Sequence, residues 1–160
     1  MFLGNAGDDT LNGAGGNDSL HGQNGNDVLS GGDGRDWLWG EDGSDTLLGG
    51  NDDDTFQQQS AGSSSDVIDG GAGSDWLYYG VESYVLSGVT VDLSTGTASG
   101  GGQSGAGSAS LVSVENVIAT NFGDRLTGDA GANNLFAYGG PDTIDGGAGN
   151  DRLAGGDDGG

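Results

Sequence analysis

The chain has no cysteine and no lysine, and only one proline, one methionine and one histidine among its 160 residues. Without cysteine there is no disulfide framework and no thiol to act as a nucleophile or soft-metal ligand. Cationic side chains number three (Arg35, Arg125 and Arg152) against 25 acids, for a formal charge of −22. So one-sided a balance disfavours nucleic acid and anionic lipid as partners. No apolar run approaches the roughly 20 residues that a membrane helix needs, so no membrane span is expected. Only 32% of the chain is apolar, and 38 residues are glycine. Such a composition normally leaves a chain disordered, because too little apolar area is buried to offset the entropy of ordering.

What is present is a period. Residues 4–57 read in one register as six nine-residue words: GNAGDDTLN, GAGGNDSLH, GQNGNDVLS, GGDGRDWLW, GEDGSDTLL and GGNDDDTFQ. Each opens with Gly, carries Asp at its sixth place and a large apolar residue at its eighth. The apolar column is Leu11, Leu20, Leu29, Leu38, Leu47 and Phe56. A fixed period of this kind signals a repeat architecture. The last three places form a short strand with the eighth pointing inward, since side chains alternate along a strand. The glycines permit the left-handed conformations that a tight loop demands.

The acidic column is Asp9, Asp18, Asp27, Asp36, Asp45 and Asp54. One carboxylate per Gly-rich loop, among exposed backbone carbonyls, is the oxygen-rich set that a hard cation such as Ca²⁺ prefers. Turn chemistry also favours Asp and Gly, but it does not require Asp at one place of every word. Divalent cations would offset the excess negative charge, so the chain is expected to be disordered without calcium and folded with it.

The word matches the pattern G-G-x-G-x-D-x-U-x, with U large and apolar, and the chain closely resembles the RTX, or haemolysin-type, calcium-binding repeat regions of secreted bacterial proteins. The resemblance implies an all-β fold, a right-handed parallel β-roll (a β-solenoid) in which two words complete one coil. Loops two words apart then stack, so Asp9 meets Asp27, Asp18 meets Asp36, Asp27 meets Asp45, and Asp36 meets Asp54. It also implies several Ca²⁺ ions, roughly six to nine on this reading, and a secreted, extracellular location. The opening Met1-Phe2-Leu3-Gly4 is too short for a signal peptide, and the chain stops inside a word at GGDDGG (155–160), as a fragment of a longer protein would. Export therefore rests on the resemblance.

After Gln57 the register slips by three residues and resumes with AGSSSDVID (61–69) and GGAGSDWLY (70–78), adding Asp66 and Asp75 to the column. The pairs Asp45–Asp66 and Asp54–Asp75 follow. Asp52 replaces the fourth-place glycine of GGNDDDTFQ and is expected to distort that loop. Residues 79–118 leave the word: 84–86 and the alternating Val89, Val91 and Leu93 read as strands, with turns at Gly88 and 94–96. Residues 100–110 read as a Gly/Ser-rich loop, and 111–118 as a further strand. This β insertion, of a kind common between RTX repeat blocks, is expected to form a lateral hairpin that caps or covers the roll.

The word returns as ATNFGDRLT, GDAGANNLF, AYGGPDTID and GGAGNDRLA (119–154). These contribute Asp124, Asn133, Asp142 and Asp151 as metal ligands, with Glu115 a longer and weaker candidate. The pairs are Asp124–Asp142, Asn133–Asp151 and Glu115–Asn133. The chain thus divides into a first roll block (1–78), the insertion (79–118) and a second block (119–160), which together make one continuous domain.

Trp37, Trp39, Trp76 and Tyr78 fall at outward places seven and nine of two even-numbered words, on one sheet and roughly 10 Å apart. They form a face for a glycan or a neighbouring domain, including the insertion itself. His21, also outward, reads as a solvated surface residue. No HExxH, GxSxG or cysteine nucleophile occurs, and the carboxylates stand at metal-ligand spacing rather than as a glycosidase pair. Catalysis by this chain is not expected. The function implied is a calcium-triggered structural module of a larger secreted protein. The alternatives are an adhesin or surface-layer segment that binds glycans or its own copies, and an accessory part of a secreted protease, lipase or epimerase.

Overall fold

The computed structural model describes residues 1–58, 64–80, 87–101 and 107–156. These residues are all-β, with no helix among them. Two sheets face each other across a single apolar seam. The first has eight strands in the order β1-β3-β5-β7-β9-β13-β15-β17. They are β1 Phe2–Ala6, β3 Ser19–Asn24, β5 Trp37–Asp42, β7 Thr55–Gln57, β9 Trp76–Tyr78, β13 Asn116–Ile118, β15 Asn134–Phe136 and β17 Arg152–Ala154. All its pairings are parallel. The second has nine strands in the order β16-β14-β10-β11-β12-β8-β6-β4-β2. Its repeat strands are β2 Thr10–Gly15, β4 Val28–Asp33, β6 Thr46–Asn51, β8 Ser65–Ala72, β14 Arg125–Thr127 and β16 Thr143–Asp145. The chain alternates between the sheets, word by word, which makes a parallel β-solenoid of the β-roll type.

The register follows the period. Leu20 pairs with Leu38, Leu38 with Phe56, Phe56 with Leu77 and Leu29 with Leu47. Leu20, Leu29, Leu38, Phe56, Ile68, Leu77, Val117 and Leu135 are fully buried. Because each coil contacts only its neighbours, stability is summed along the stack. Leu77→Ala, in the middle of the column, is therefore expected to cost about 2–5 kcal/mol. Leu153→Ala, at its end and 46% exposed, should cost less than about 1 kcal/mol on the same scale. Urea unfolding in calcium measures both.

The strands of the first block run longer than the x-U-x reading. β2 to β6 each span six residues, because places one to three of the next word also pair, as in Asn5 with Gln23 and Gln23 with Glu41. Place two there takes left-handed φ values, 81° at Asn5, 78° at Gln23 and 71° at Glu41. Asp52 keeps a left-handed backbone at φ 73°, short of the 102–141° of the fourth-place glycines Gly7, Gly16, Gly25, Gly34 and Gly43, and Asp tolerates that region better than most residues.

The insertion differs most from expectation. It is not a lateral hairpin over the roll. Its strands β10 Val89–Asp92, β11 Thr97–Gly100 and β12 Ser108–Val112 lie within the second sheet. β12 pairs parallel with β8, β10 pairs parallel with β14, and β11 bridges them antiparallel. Three strands thus fill a step that holds one elsewhere, while β9 and β13 remain direct neighbours in the facing sheet. The inward residues are small at Ala98 and Ala109, and Tyr79, Val89 and Val114 are buried with them. The turn at 93–96 is present. The strand expected over 111–118 is two, β12 and β13, separated by Ser113 at φ 50°. The strand expected at 84–86 lies outside the described residues.

Candidate metal centre

The loops that carry the Asp column stack along both edges of the roll. In each, the backbone N–H of one Asp donates to Oδ1 of the Asp one coil further on. Asp9 donates to Asp27, Asp18 to Asp36, Asp27 to Asp45 and Asp36 to Asp54, each at 2.8 Å. The step across the three-residue slip holds too, with Asp45 donating to Asp66 at 3.0 Å and Asp54 to Asp75 at 2.8 Å. Asp75 N–H donates to Glu115 Oε2 at 2.9 Å, which places Glu115 in the column. In the second block Asp124 donates to Asp142 at 2.9 Å and Asn133 to Asp151 at 3.0 Å. The ladder thus brings together every pair read from the spacing but Glu115–Asn133, where Asn133 Nδ2 donates instead to the Glu115 backbone carbonyl at 3.0 Å.

The side chains are enclosed as well as stacked. Asp54 and Asp75 are 0% exposed, and Asp27, Asp36 and Asp45 at most 3%. In Asp27, Asp36, Asp45, Asp54, Asp75 and Asp142 the ladder satisfies Oδ1, but the second oxygen has no donor. Oδ2 of Asp9, Asp27, Asp36, Asp45, Asp54, Asp75 and Asp142 is buried without a hydrogen-bond partner. An uncompensated buried carboxylate oxygen costs on the order of 1–3 kcal/mol or more. Burial, chiefly, and then the like charges of Asp66 and Asp27 push Asp45 up to about 6. Burial, then Asp75 and Asp36, push Asp54 up to about 7. Burial, then Glu115, push Asp75 up to about 6. Asp36 is raised the same way, against a lowering by the ladder N–H. The site therefore favours a proton or a cation over a bare negative charge.

The leading glycine explains how other oxygens approach. A Cβ at Gly4 would sit 2.6 Å from Gly22 O and 3.0 Å from Asp9 Oδ2, and one at Gly13 2.7 Å from Gly31 O and 2.8 Å from Asp18 Oδ2. At Gly49 it would meet Gly70 O and Asp54 Oδ2. A carboxylate oxygen and a carbonyl of the next coil thus converge where any side chain would intrude. Among the described residues no three His, Cys, Asp or Glu side chains gather at one point. Each loop gives one carboxylate, and the remaining oxygens are backbone carbonyls. An all-oxygen, enclosed, negatively charged set fits a hard divalent ion such as Ca²⁺, which when bound would supply the missing positive charge.

A second ladder runs through place five. Asn26 N–H donates to Asp8 Oδ1, Arg35 N–H to Asn17 Oδ1, Ser44 N–H to Asn26 Oδ1 and Ser74 N–H to Asp53 Oδ1, at 2.8 to 3.1 Å. The recurrence of Asn, Asp or Ser at this place is its signature in the sequence.

The outward aromatic residues lie on one face of the first sheet, as their spacing implies. Trp37 pairs across Thr55 with Trp76, and Trp39 across Gln57 with Tyr78. Three of the rings touch, Trp37 lying 6.3 Å from Trp39 and 6.1 Å from Tyr78, centroid to centroid, while Trp76 stacks on Phe136 at 5.9 Å. His21 is not a solvated residue. Its ring lies 4.5 Å from that of Trp39, and Nδ1 is 3.1 Å from Glu41 Oε1. The insertion strands β10 to β12 belong to the opposite sheet and do not cover this face.

No helix among the described residues is long and apolar enough to cross a membrane. A comparison with curated proteins finds no match. The profile of the RTX calcium-binding nonapeptide repeat (4 copies) matches residues 2–29, 21–56, 60–83 and 127–159. With these matches over most of its length, the Asp ladder and the two-sheet roll, the chain belongs to the RTX calcium-binding nonapeptide repeat family.

Proposed function

We propose that this chain is a structural module that folds on binding calcium after secretion, as part of a larger extracellular protein. The observation that carries the reading is the set of seven buried, partnerless carboxylate oxygens along two stacked loop columns. The ligands are the column carboxylates, each with backbone carbonyls of its own and the next coil. About seven ions follow, one per partnerless oxygen. Extracellular calcium modules have dissociation constants of about 10⁻⁴–10⁻³ M. The columns would be empty in the cytosol, where calcium is scarce, and filled outside the cell. The family supports secretion. The same seven oxygens support the folding switch, since burying them without cations is unfavourable.

Calorimetric titration of the chelator-treated chain with calcium tests this. The expected result is uptake of about seven ions in that affinity range, coincident with a gain of β-sheet circular dichroism. A chain that takes up no calcium at millimolar concentration would end the reading.

A further inference from the structure

The positions of the Asp column are not equivalent, and the exceptions cluster. At three of them a neutral protein donor occupies the place that the partnerless oxygen leaves open elsewhere. Gln58 Nε2 donates to Asp66 Oδ2 at 2.5 Å, with both residues at most 5% exposed. Oδ1 of Asp66 already takes the Asp45 N–H. Around Asp124, the Val89 N–H (2.7 Å) and Thr120 Oγ1 (2.9 Å) serve Oδ1, and the Thr120 N–H (3.0 Å) serves Oδ2. Asn133, neutral itself, accepts the Asp129 N–H on Oδ1 at 2.9 Å and donates through Nδ2 to Glu115 O at 3.0 Å.

An N–H or O–H aimed at a carboxylate oxygen presents a partial positive charge along the direction a cation would take, and it repels that cation. The same contact removes the desolvation penalty that makes the other sites cation-seeking. Glu115 O is likewise committed to an amide donor. All three exceptions flank one feature. Asp66 is the second residue of β8, Asp124 immediately precedes β14, and Asn133 and Glu115 immediately precede β15 and β13. β8 and β14 are the two strands that the insertion joins, and β13 and β15 lie in the facing sheet.

We propose that Gln58–Asp66, Thr120–Asp124 and Asn133–Glu115 are calcium-independent clasps that take no ion, and that they form a protein-only seam where the insertion interrupts the roll. Gln58 belongs to the three-residue slip that breaks the period, so the slip supplies the amide that replaces a cation. The seam divides the calcium sites into an amino-terminal group, between Asp9 and Asp75, and a carboxyl-terminal site at Asp142. This inference rests on the calcium reading above.

Native mass spectrometry of the full chain in excess calcium, with circular dichroism to confirm folding, distinguishes the two. Asp45→Asn should lose at least one ion relative to the wild-type chain, whereas Asp66→Asn should keep the wild-type number. Gln58→Glu turns the donor into a second carboxylate facing Asp66 and should gain one ion. Asn133→Asp should do the same opposite Glu115 O, and it decides the matter if Gln58→Glu does not fold. Equal loss of ions in Asp66→Asn and Asp45→Asn, or wild-type stoichiometry in the gain variants, would overturn the clasps. A wild-type chain without bound calcium would instead overturn the reading on which they rest.

Discussion

Stripped of divalent cations at neutral pH, the chain is expected to lose its β-sheet circular dichroism signal entirely and to regain it when calcium is restored. The argument is one of magnitudes. Domains are stable by about 5–15 kcal/mol, and an effective penalty of several kcal/mol attends each buried ion that lacks a partner. Asp27, Asp36, Asp45, Asp54 and Asp75 are at most 3% exposed, and each has a partnerless oxygen. Even a few such penalties exceed what a domain of this size holds in reserve. The formal charge of −22 adds general repulsion, and a core one side chain wide at each step offers little to oppose it. A β-sheet spectrum that survives excess chelator at pH 7.5 would show that the carboxylates are compensated without metal.

Acid should act in opposite directions with and without calcium. In chelator, lowering the pH from 7.5 to 5 is expected to restore part of the β signal. Asp45, Asp54 and Asp75 have folded-state pKa values raised to about 6, 7 and 6 from an ordinary 3.8. The folded chain then binds protons that the unfolded chain has released, so stability is greatest at low pH and declines as pH rises through this window. For Asp54 alone the difference is about 4 kcal/mol at 1.36 kcal/mol per unit, an upper figure for a group among like charges. With calcium present the same protons compete with the ion, and apparent calcium affinity should fall between pH 7 and pH 5. Asp54→Asn carries a permanent neutral amide in place of the protonated acid, so its chelator-treated form should depend less on pH. If the metal-free chain gained structure on going from pH 5 to pH 7.5, the carboxylates would not be the groups opposing the fold.

Much of this was legible at the level of residues. The eighth-place column of Leu, Ile and Phe fixed which side chains face inward, because a strand has period two and each word holds one strand. The sixth-place Asp fixed the partners one coil apart, eighteen residues within the period and 21 for Asp45–Asp66 across the slip, since three extra residues fit in a loop without moving a strand. Glu115 falls in the Asp column because Val117 stands nine residues before Leu126, in the register of the apolar column. The insertion was legible as β from Val89, Val91 and Leu93, but β11 was not, because Thr97-Ala98-Ser99-Gly100 has neither bulk nor alternation. Its place is set by neighbours on both sides, β10 and β12. No local pattern records such a pairing. The packing of His21 has no local signature for the same reason, since Trp39 and Glu41 reach it only when β3 and β5 lie side by side.

By itself the sequence determined the period, the inward column and the carboxylate ladder, because each depends on covalent spacing and on the alternation of side chains along a strand. Only the tertiary structure decided that the insertion enters the second sheet rather than covering the roll. It alone also separated carboxylates with a partnerless oxygen from those clasped by Gln58 or Thr120. Both outcomes depend on which backbone edge or donor arrives at a given point in space, and that is settled by coils packed against one another, far apart along the chain.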